Sequence, residues 1–180
     1  MSGKLELIIG PMFSGKSTEL IRRIRRLKVI GSSVLVVKPI IDNRYISNKI
    51  TTHNYESVEC MVLENLKDIS DDIVKQYNTI VIDEGQFFND LKDMVLRWLD
   101  FNINIIIGGL DGDFQRNPIG QILDLIPYSD KCTKVNSLCS VCKDGTEAPF
   151  TKRTIESTDK VLVGGAESYI PVCRKHWQKK

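Results

Sequence analysis

Short apolar runs alternate with segments of helical spacing through the first two thirds of the chain. Four of the apolar runs have the length of strands and contain few polar residues, at 5–9, 34–37, 79–82 and 103–107. Between them, apolar residues recur three or four positions apart, which predicts helices from Lys16 to a C-cap at Gly31 and at 66–77, 91–99 and 119–126. Strands that are apolar on both faces and alternate with helices indicate an α/β fold, with a mostly parallel sheet and helices on both of its faces.

The pattern of residue types changes after residue 129. Cysteines, short β-branched runs and turn residues replace the helical pattern there. We therefore expect two domains, an α/β domain at 1–129 and a smaller domain at 130–180. A polar stretch at 42–56 is too long for an ordinary connection between two elements and predicts a functional loop.

Composition and charge narrow the class of protein. The chain has 180 residues, of which 42% are hydrophobic, and a net charge of +2. These values exclude a wholly disordered chain and give little support to a general nucleic-acid binder. No apolar run approaches the roughly 20 residues of a membrane span, and the N-terminus lacks the apolar region of a secretory signal. These features indicate a cytosolic or nuclear protein, and we expect the cytoplasm. We expect no membrane or direct nucleic-acid partner, and we expect the five cysteines to be ligands or free thiols.

A glycine-rich string follows the first predicted strand and opens the first predicted helix. It matches the P-loop pattern G-x-x-x-x-G-K-[ST], and its residues are Gly10, Pro11, Met12, Phe13, Ser14, Gly15, Lys16 and Ser17. Such a loop binds phosphates through backbone N–H groups and the helix N-terminus, while Lys16 reaches the outer phosphates and Ser17 can hold Mg²⁺. The flanking strand and helix make a nucleoside triphosphate site the strongest prediction from this sequence.

Two adjacent carboxylates, Asp83 and Glu84, follow the strand predicted at 79–82. In P-loop proteins an acidic residue at this place lies beside the phosphates and helps to hold Mg²⁺. Side chains alternate in direction along a strand, so the two carboxylates are expected to face different groups. We assign Asp83 to the metal and Glu84 to the acceptor of the phosphoryl group. The alternative for Glu84 is a cap on the segment that follows.

Two short pairs of metal-binding residues occur in the second part of the chain. They are Cys139 with Cys142 and Cys173 with His176, and 30 residues separate the pairs. Three thiolates and one imidazole suit tetrahedral Zn²⁺ with all four positions filled, which is a structural site. The interval is longer than in a common zinc ribbon, so a sizeable loop is expected to project between the pairs.

Other conspicuous residues favour packing or surface roles. Cys60 and Cys132 lie outside the metal pattern and are interpreted as buried apolar residues. Four arginines at 22–26 are interpreted as a solvated helix face or a subunit contact, because no aromatic residues stand among them to stack on bases. Trp98 is expected to pack in the core, and Trp177 is expected to shield the metal-binding pair beside it.

Two other classes of P-loop protein fit less well. A GTPase needs an N-K-x-D string to read guanine, and residues 48–51 lack the aspartate. A nucleic-acid-dependent ATPase with a zinc ribbon would explain the carboxylate pair and the arginines. A helicase, however, normally needs a second motor domain, which 180 residues cannot supply.

The order and spacing of these motifs resemble the zinc-containing thymidine kinase family, and most of all its poxvirus members. The likeness extends from Leu7 to Trp177. Besides the P-loop and the metal-binding pairs, it rests on five strings: Asp42-Asn43-Arg44-Tyr45, Asp83-Glu84-Gly85-Gln86-Phe87-Phe88, Leu110-Asp111-Gly112-Asp113-Phe114-Gln115-Arg116, Thr151-Lys152-Arg153, and Gly164-Gly165 with Tyr169.

The resemblance implies a RecA-like P-loop fold and transfer of the γ-phosphate of ATP to the 5′-hydroxyl of thymidine. Glu84 matches the family's general base, and Asp42 and Arg44 match residues near the phosphates. The positions that match the nucleoside pocket are Met12, Phe87, Leu110, Phe114 and Tyr169, with Lys160, Val161, Leu162, Val163 and Gly164 of a lasso loop that covers the thymine. The family also implies a homotetramer and feedback inhibition by thymidine triphosphate.

Two positions depart from the family pattern. His176 stands where cysteine is common, and because imidazole is also a good zinc ligand the site is expected to survive with a changed charge. Asp113 stands where a small hydroxyl residue is common, which leaves its role open.

Overall fold

The structure is a computed structural model, and it describes residues 3–40, 48–51, 56–155 and 168–178. Its strands in chain order are β1 (Leu5–Ile9), β2 (Val34–Pro39), β3 (Lys49–Thr51), β4 (Ser57–Glu59), β5 (Met61–Leu63), β6 (Thr79–Ile82), β7 (Asn104–Gly109), β8 (Lys131–Lys134), β9 (Ser137–Leu138), β10 (Glu147–Ala148), β11 (Phe150–Arg153) and β12 (Tyr169–Val172). Its α-helices are α1 (Lys16–Val29), α2 (Asp71–Val74), α3 (Leu91–Asp100) and α4 (Arg174–Gln178). Short 3₁₀ segments lie at Leu66–Asp68, Gly85–Phe87 and Ile122–Tyr128.

Six strands form one parallel sheet in the order β5-β2-β6-β7-β1-β8. In this register Leu7 of β1 lies beside Ile107 of β7 on one side and Cys132 of β8 on the other. Because the strands run parallel, the carboxyl ends of β1, β6 and β7 meet at one edge of the sheet. Open α/β sheets bind their ligands at that edge.

Alternate residues of the strands pack against helices on opposite faces of the sheet. On one face Leu20 and Ile24 of α1 pack with Ile8 of β1. On the other face Trp98 of α3 belongs to the same buried cluster as Leu7 of β1. Each of these side chains is fully buried, and burial of an aliphatic side chain of this size contributes about 1.5–3 kcal/mol. The predicted α/β class, with helices on both faces of a parallel sheet, is confirmed, and so is the core position of Trp98.

Two helix predictions are wrong in detail. The segment 66–77 is a 3₁₀ turn and then α2, and Ser70 between them has extended backbone angles, with φ −65° and ψ 149°. The carboxylate of Asp90 accepts hydrogen bonds from the backbone N–H groups of Leu66 and Lys67, at 3.2 and 2.9 Å. These N–H groups belong to the first predicted turn, where a helix offers them no acceptor, so Asp90 holds that end in place and the helix is interrupted at Ser70. The helix predicted at 119–126 is the 3₁₀ segment at 122–128, which contains Pro127.

A smaller unit follows the sheet. The pairs β9–β10 and β11–β12 are antiparallel, and with α4 they enclose a small core of Cys139, Ala148, Val172 and Cys173. The preceding strand β8 pairs with β1, so the main sheet continues past residue 129, where we expected the domain boundary. The division of the chain into two domains stays a prediction.

Candidate active site and metal centre

The P-loop turns sharply between β1 and α1. Gly10 has φ +155°, and a Cβ built there would lie 2.2 Å from the carbonyl oxygen of Val135, so no other residue fits without a shift of the backbone. Gly15 has φ +81° and precedes Lys16, the first residue of α1. The helix therefore points its free N–H groups, and the positive end of its dipole, at the concave side of the loop. This arrangement suits a bound phosphate.

Lys16 and Ser17 lie where the loop meets the carboxyl end of β6. The Lys16 ammonium is buried, with 7% of the residue exposed, and donates a 2.7 Å hydrogen bond to the carbonyl oxygen of Pro11. The Ser17 hydroxyl donates to the carboxylate of Asp83, with Oγ 3.3 Å from Oδ2. Asp83 is itself buried. A hydroxyl and a carboxylate oxygen side by side are hard ligands of the kind that Mg²⁺ prefers.

Glu84, the next residue, has a different partner. Its backbone is in the left-handed region, with φ 52° and ψ 41°, where non-glycine residues are uncommon. Its carboxylate is half-buried and accepts a 2.7 Å hydrogen bond from the side-chain amide of Gln86. Adjacent carboxylates thus face different groups, Ser17 for Asp83 and Gln86 for Glu84.

Aromatic and cationic side chains cluster near the loop that follows β7. The Arg153 guanidinium lies 3.8 Å from the ring centre of Phe114 and donates a 2.9 Å hydrogen bond to the hydroxyl of Tyr169. A second contact joins the smaller unit to the P-loop, because the backbone N–H of Met12 donates to the buried hydroxyl of Thr151 at 3.0 Å. The smaller unit therefore contacts both the P-loop and the segment that follows β7.

Four side chains of the smaller unit converge as a metal site would require. The sulfur atoms of Cys139, Cys142 and Cys173 and the Nδ1 atom of His176 all lie within 4.8 Å of one another. The Cys142 and Cys173 sulfurs are 3.8 Å apart, and each lies 3.3 Å from Nδ1. A tetrahedron with metal–sulfur bonds of about 2.3 Å has edges of about 3.8 Å, so the set fits one tetrahedral ion.

The surroundings of Cys139 favour its thiolate form. Burial raises the pKa of this thiol, but hydrogen bonds from backbone N–H groups, those of Cys142 and Cys173 first, together outweigh that effect and lower the pKa to about 6. One of these donors, the N–H of Cys173, lies 3.3 Å from the sulfur. The thiolate is the form that binds metal ions.

Trp177 extends from the metal-binding cluster toward the loop after β7. Its indole N–H donates a 3.1 Å hydrogen bond to the carbonyl oxygen of Phe114, and the Arg116 guanidinium lies 3.6 Å from its ring centre. The ring also packs with the small core around Cys139. The sequence predicted that Trp177 would cover the metal-binding pair, but it did not predict the hydrogen bond to Phe114.

The structure brings together most of the residues that the sequence singled out. The P-loop, Asp83 and Glu84 lie along one edge of the sheet, with Leu110 directly after β7 and Phe87 in the 3₁₀ turn after Glu84. Asp42, Arg44 and the lasso-loop positions 160–164 lie outside the described residues. The roles assigned to these residues stay predictions.

Four residues with contacts at this site were not assigned roles from the sequence. The strings that carry the family resemblance include Gln86, Thr151 and Arg153, but only the fold shows which groups these side chains contact. Asp113, whose role was open, accepts hydrogen bonds at 2.8 Å from the backbone N–H groups of Gln115 and Asn117 and so shapes the turn beside Phe114.

The interpretation of the other cysteines and the arginines is partly corrected. Cys60 is buried as expected, whereas Cys132 is exposed, because β8 is the edge strand of the sheet. Arg22 and Arg23 bond to Glu19 one turn earlier on α1, and Arg25 bonds to Glu56 at 3.1 Å. Arg22 and Arg25 are exposed and agree with a solvated helix face, whereas the side chain of Arg23 is only 12% exposed. No helix within the described ranges has the length and apolar character to cross a membrane.

Comparisons with known proteins agree over nearly the whole chain. A family model described as thymidine kinase matches residues 3–177. The chain is 41% identical to thymidine kinase 1 of Dictyostelium discoideum, in an alignment covering 97% of this chain and 77% of that protein. It is 42% identical to the thymidine kinase of vaccinia virus strain Western Reserve, covering 96% of each chain. It is 41% identical to thymidine kinase a of Arabidopsis thaliana, covering 98% of this chain and 75% of that protein.

Proposed function

Because the chain belongs to the thymidine kinase family, and so phosphorylates thymidine with ATP and a divalent metal, we propose that the carboxylate pair after β6 performs the transfer. The observation that supports this most is that the two adjacent carboxylates have different partners. The Ser17 hydroxyl of the P-loop donates to Asp83, whereas the side-chain amide of Gln86 donates to Glu84. One carboxylate is thereby available to the metal and the other to the acceptor hydroxyl.

The P-loop binds the phosphates of ATP in this proposal. Its backbone N–H groups and the N-terminus of α1 offer donors and a positive potential. The buried ammonium of Lys16 adds a full charge beside the outer phosphates. Ser17 and Asp83 hold Mg²⁺, which when bound neutralises charge on the transferred group. Asp42 and Arg44 are assigned to the phosphates by resemblance alone.

Glu84 is the general base. Its carboxylate accepts the proton of the thymidine 5′-hydroxyl as that oxygen forms a bond to the γ-phosphorus, and the bond from phosphorus to the bridging oxygen breaks to release ADP. Removal of such a base lowers a rate by about 10²–10⁴-fold. The products are thymidine monophosphate and ADP, with the proton left on Glu84 until solvent removes it.

The thymidine pocket lies between the two units of the chain. We assign its walls to Met12, Phe87, Leu110, Phe114 and Tyr169. By resemblance alone, residues 160–164 are assigned to cover the thymine, which would exclude water that could otherwise accept the phosphoryl group. Arg153 supports this pocket, since its guanidinium contacts both the Phe114 ring and the Tyr169 hydroxyl.

The Cys₃His cluster holds a structural Zn²⁺. All four protein ligands are present and their spacing suits a tetrahedron, so no position is left open for catalysis. The ion would fix the two ends of the segment between Cys142 and Cys173 and so lower the entropy cost of closing the loop over the nucleoside. A homotetramer, feedback inhibition by thymidine triphosphate and a cytoplasmic location are proposed from the family.

Turnover with different acceptors tests this function. The purified protein is incubated with ATP and Mg²⁺ and with thymidine, deoxycytidine or single-stranded DNA, and both ADP and nucleoside monophosphate are measured. We expect stoichiometric thymidine monophosphate and ADP with thymidine and little turnover with DNA. ADP release that depends on DNA but not on thymidine would contradict the proposal.

A further inference from the structure

We infer that Gln86 is a positioning residue for phosphoryl transfer, which holds the Glu84 carboxylate to the pocket wall at Leu110. Its amide bridges the two: Nε2 donates to Glu84 Oε2 at 2.7 Å, and Oε1 accepts from the backbone N–H of Leu110 at 3.0 Å. The inference rests on the proposed role of Glu84 as the base. In this proposal Gln86 acts through Glu84 and does not itself contact a substrate.

The chemistry of the two partners fixes which way the amide faces. The Leu110 N–H can only donate, so it requires the Gln86 oxygen, and an ionised Glu84 carboxylate can only accept, so it requires the NH₂ group. Both ends demand the same orientation. A flipped amide would place oxygen against oxygen at Glu84 and leave the Leu110 N–H facing a donor.

The surrounding structure encloses this side chain. Gln86 is 4% exposed, in the 3₁₀ turn directly after Glu84. At Gly109, the last residue of β7, a Cβ would lie 2.4 Å from Gln86 Oε1. Glycine at 109 thus permits the close approach of the amide to the end of β7. The amide of Gln86 is buried, and both its oxygen and its nitrogen are hydrogen-bonded. Such an arrangement is part of the fold and differs from a chance contact at the surface.

The position of Glu84 makes such a support necessary. Its backbone is in a conformation that non-glycine residues rarely adopt, and strain of this kind persists only where surrounding contacts determine it. A base must lie within hydrogen-bond reach of the proton it removes. The amide of Gln86 limits the motion of the carboxylate and ties it to the same backbone segment that presents Leu110 to the nucleoside pocket.

Gln86→Glu is the matched test of the donor. It keeps the volume and the acceptor for the Leu110 N–H, but it turns an oxygen toward Glu84 instead of an NH₂ group. Misplacement of a reacting group by about 1 Å can cost 10²-fold in rate, so we expect kcat to fall about ten- to a hundredfold with the KM for ATP little changed. Gln86→Met removes both hydrogen bonds without a second carboxylate and serves as the backup should Gln86→Glu not fold.

A double variant exchanges the two side chains. In Glu84→Gln/Gln86→Glu the amide and the carboxylate exchange places, so the hydrogen bond between them can form again. We expect the melting temperature to recover toward wild type while kcat stays at the level of Glu84→Gln alone. A Gln86 variant that lowers kcat by the same factor with Glu84 present and with Glu84 replaced would overturn the inference, since a merely structural role acts in both backgrounds. Full kcat in Gln86→Glu and Gln86→Met would overturn it as well.

Two outcomes distinguish a failure of this inference from a failure of its premise, that Glu84 is the general base. If Glu84→Gln alone keeps the wild-type kcat, the proposed base is wrong, whatever the Gln86 variants do. If Glu84→Gln is inactive and the Gln86 variants are fully active, the base stands and only the positioning role fails. Gln121→Met is the matched structural control, because the Gln121 side chain also accepts a backbone N–H bond, from Lys92 at 2.9 Å.

Discussion

The indole N–H of Trp177 donates a 3.1 Å hydrogen bond to the carbonyl oxygen of Phe114, and so connects the metal-binding cluster to a proposed wall of the thymidine pocket. Trp177 directly follows His176, one of the four candidate ligands. A shift of α4 would therefore be transmitted to Phe114 through one bond. If the Cys₃His cluster holds zinc and Phe114 lines the pocket, as proposed, this contact is the route by which the metal would affect nucleoside affinity.

Trp177→Phe should weaken thymidine binding. A smaller aromatic ring remains in place, but the donor to Phe114 is lost, and a net hydrogen bond contributes about 1 kcal/mol. That energy corresponds to a rise of about fivefold in the KM for thymidine, with the KM for ATP unchanged. Trp98→Phe is the matched control, because it removes an indole from the core beneath the sheet. It should lower the melting temperature without a selective effect on thymidine. Equal changes in both KM values for Trp177→Phe would count against the link.

Substitutions of His176 test the metal centre. His176→Cys should retain one zinc ion per chain, since thiolate is an equally competent ligand. His176→Ala should bind zinc more weakly and lose thymidine affinity while ATP binding is largely kept. Atomic absorption together with binding of each substrate measures these outcomes. Full zinc occupancy and normal thymidine binding in His176→Ala would place the fourth ligand elsewhere.

Lys16→Ala should abolish activity without loss of the fold. The point charge beside the transferred phosphoryl group disappears, and no other part of the loop replaces it. We expect a cooperative thermal transition close to that of wild type and a kcat near background. Lys28→Ala, at the other end of the same helix, is the control and should keep full turnover. Normal turnover in Lys16→Ala would remove the P-loop lysine from the mechanism.

Acid should remove the stabilising effect of Glu19. The hydrogen bond from Arg22 is the main cause that lowers the pKa of Glu19 to about 2 from its ordinary value of 4.5, against the opposing effect of burial, and Arg23 adds to the lowering. A lowered folded-state pKa means that these ion pairs stabilise the fold above about pH 4.5 and lose that effect as the pH falls toward 2. Glu19→Gln should thus melt below wild type at about pH 7, and the two should converge in acid. A constant difference in melting temperature across this range would contradict the assignment.

The sequence predicted the parts of the site that follow from strand ends. A P-loop after one parallel strand and Asp83 after another must meet at one edge, and Ser17 and Asp83 do so at 3.3 Å. The sequence could not predict contacts between elements far apart in the chain. Thr151 binds the N–H of Met12 across 139 positions, and Arg153 reaches Phe114 only because β11 folds back on the main unit. Such pairs depend on packing geometry, which no local pattern encodes.

Apolar spacing predicted α1, but it did not show where a helical segment is interrupted. α1 has an unbroken apolar stripe that ends before Gly31, where φ is +74°, and it forms as predicted. The apolar spacing at 66–77 predicts a helix as well, but the extended backbone of Ser70 divides the segment into a 3₁₀ turn and α2. Local sequence patterns also could not predict the role of Gln86. Its motif was visible, whereas its partner Leu110 belongs to another strand end.

Single-turnover transfer by Glu84→Gln tests the central claim most directly. The variant keeps the shape of the side chain but cannot accept the proton of the 5′-hydroxyl. With enzyme in excess over ATP and with saturating thymidine and Mg²⁺, we expect the rate of thymidine monophosphate formation to fall about 10²–10⁴-fold, while the affinity for ATP stays near wild type. A variant that loses ATP affinity but transfers the phosphoryl group at the wild-type rate would show that Glu84 binds the nucleotide or its metal and is not the base.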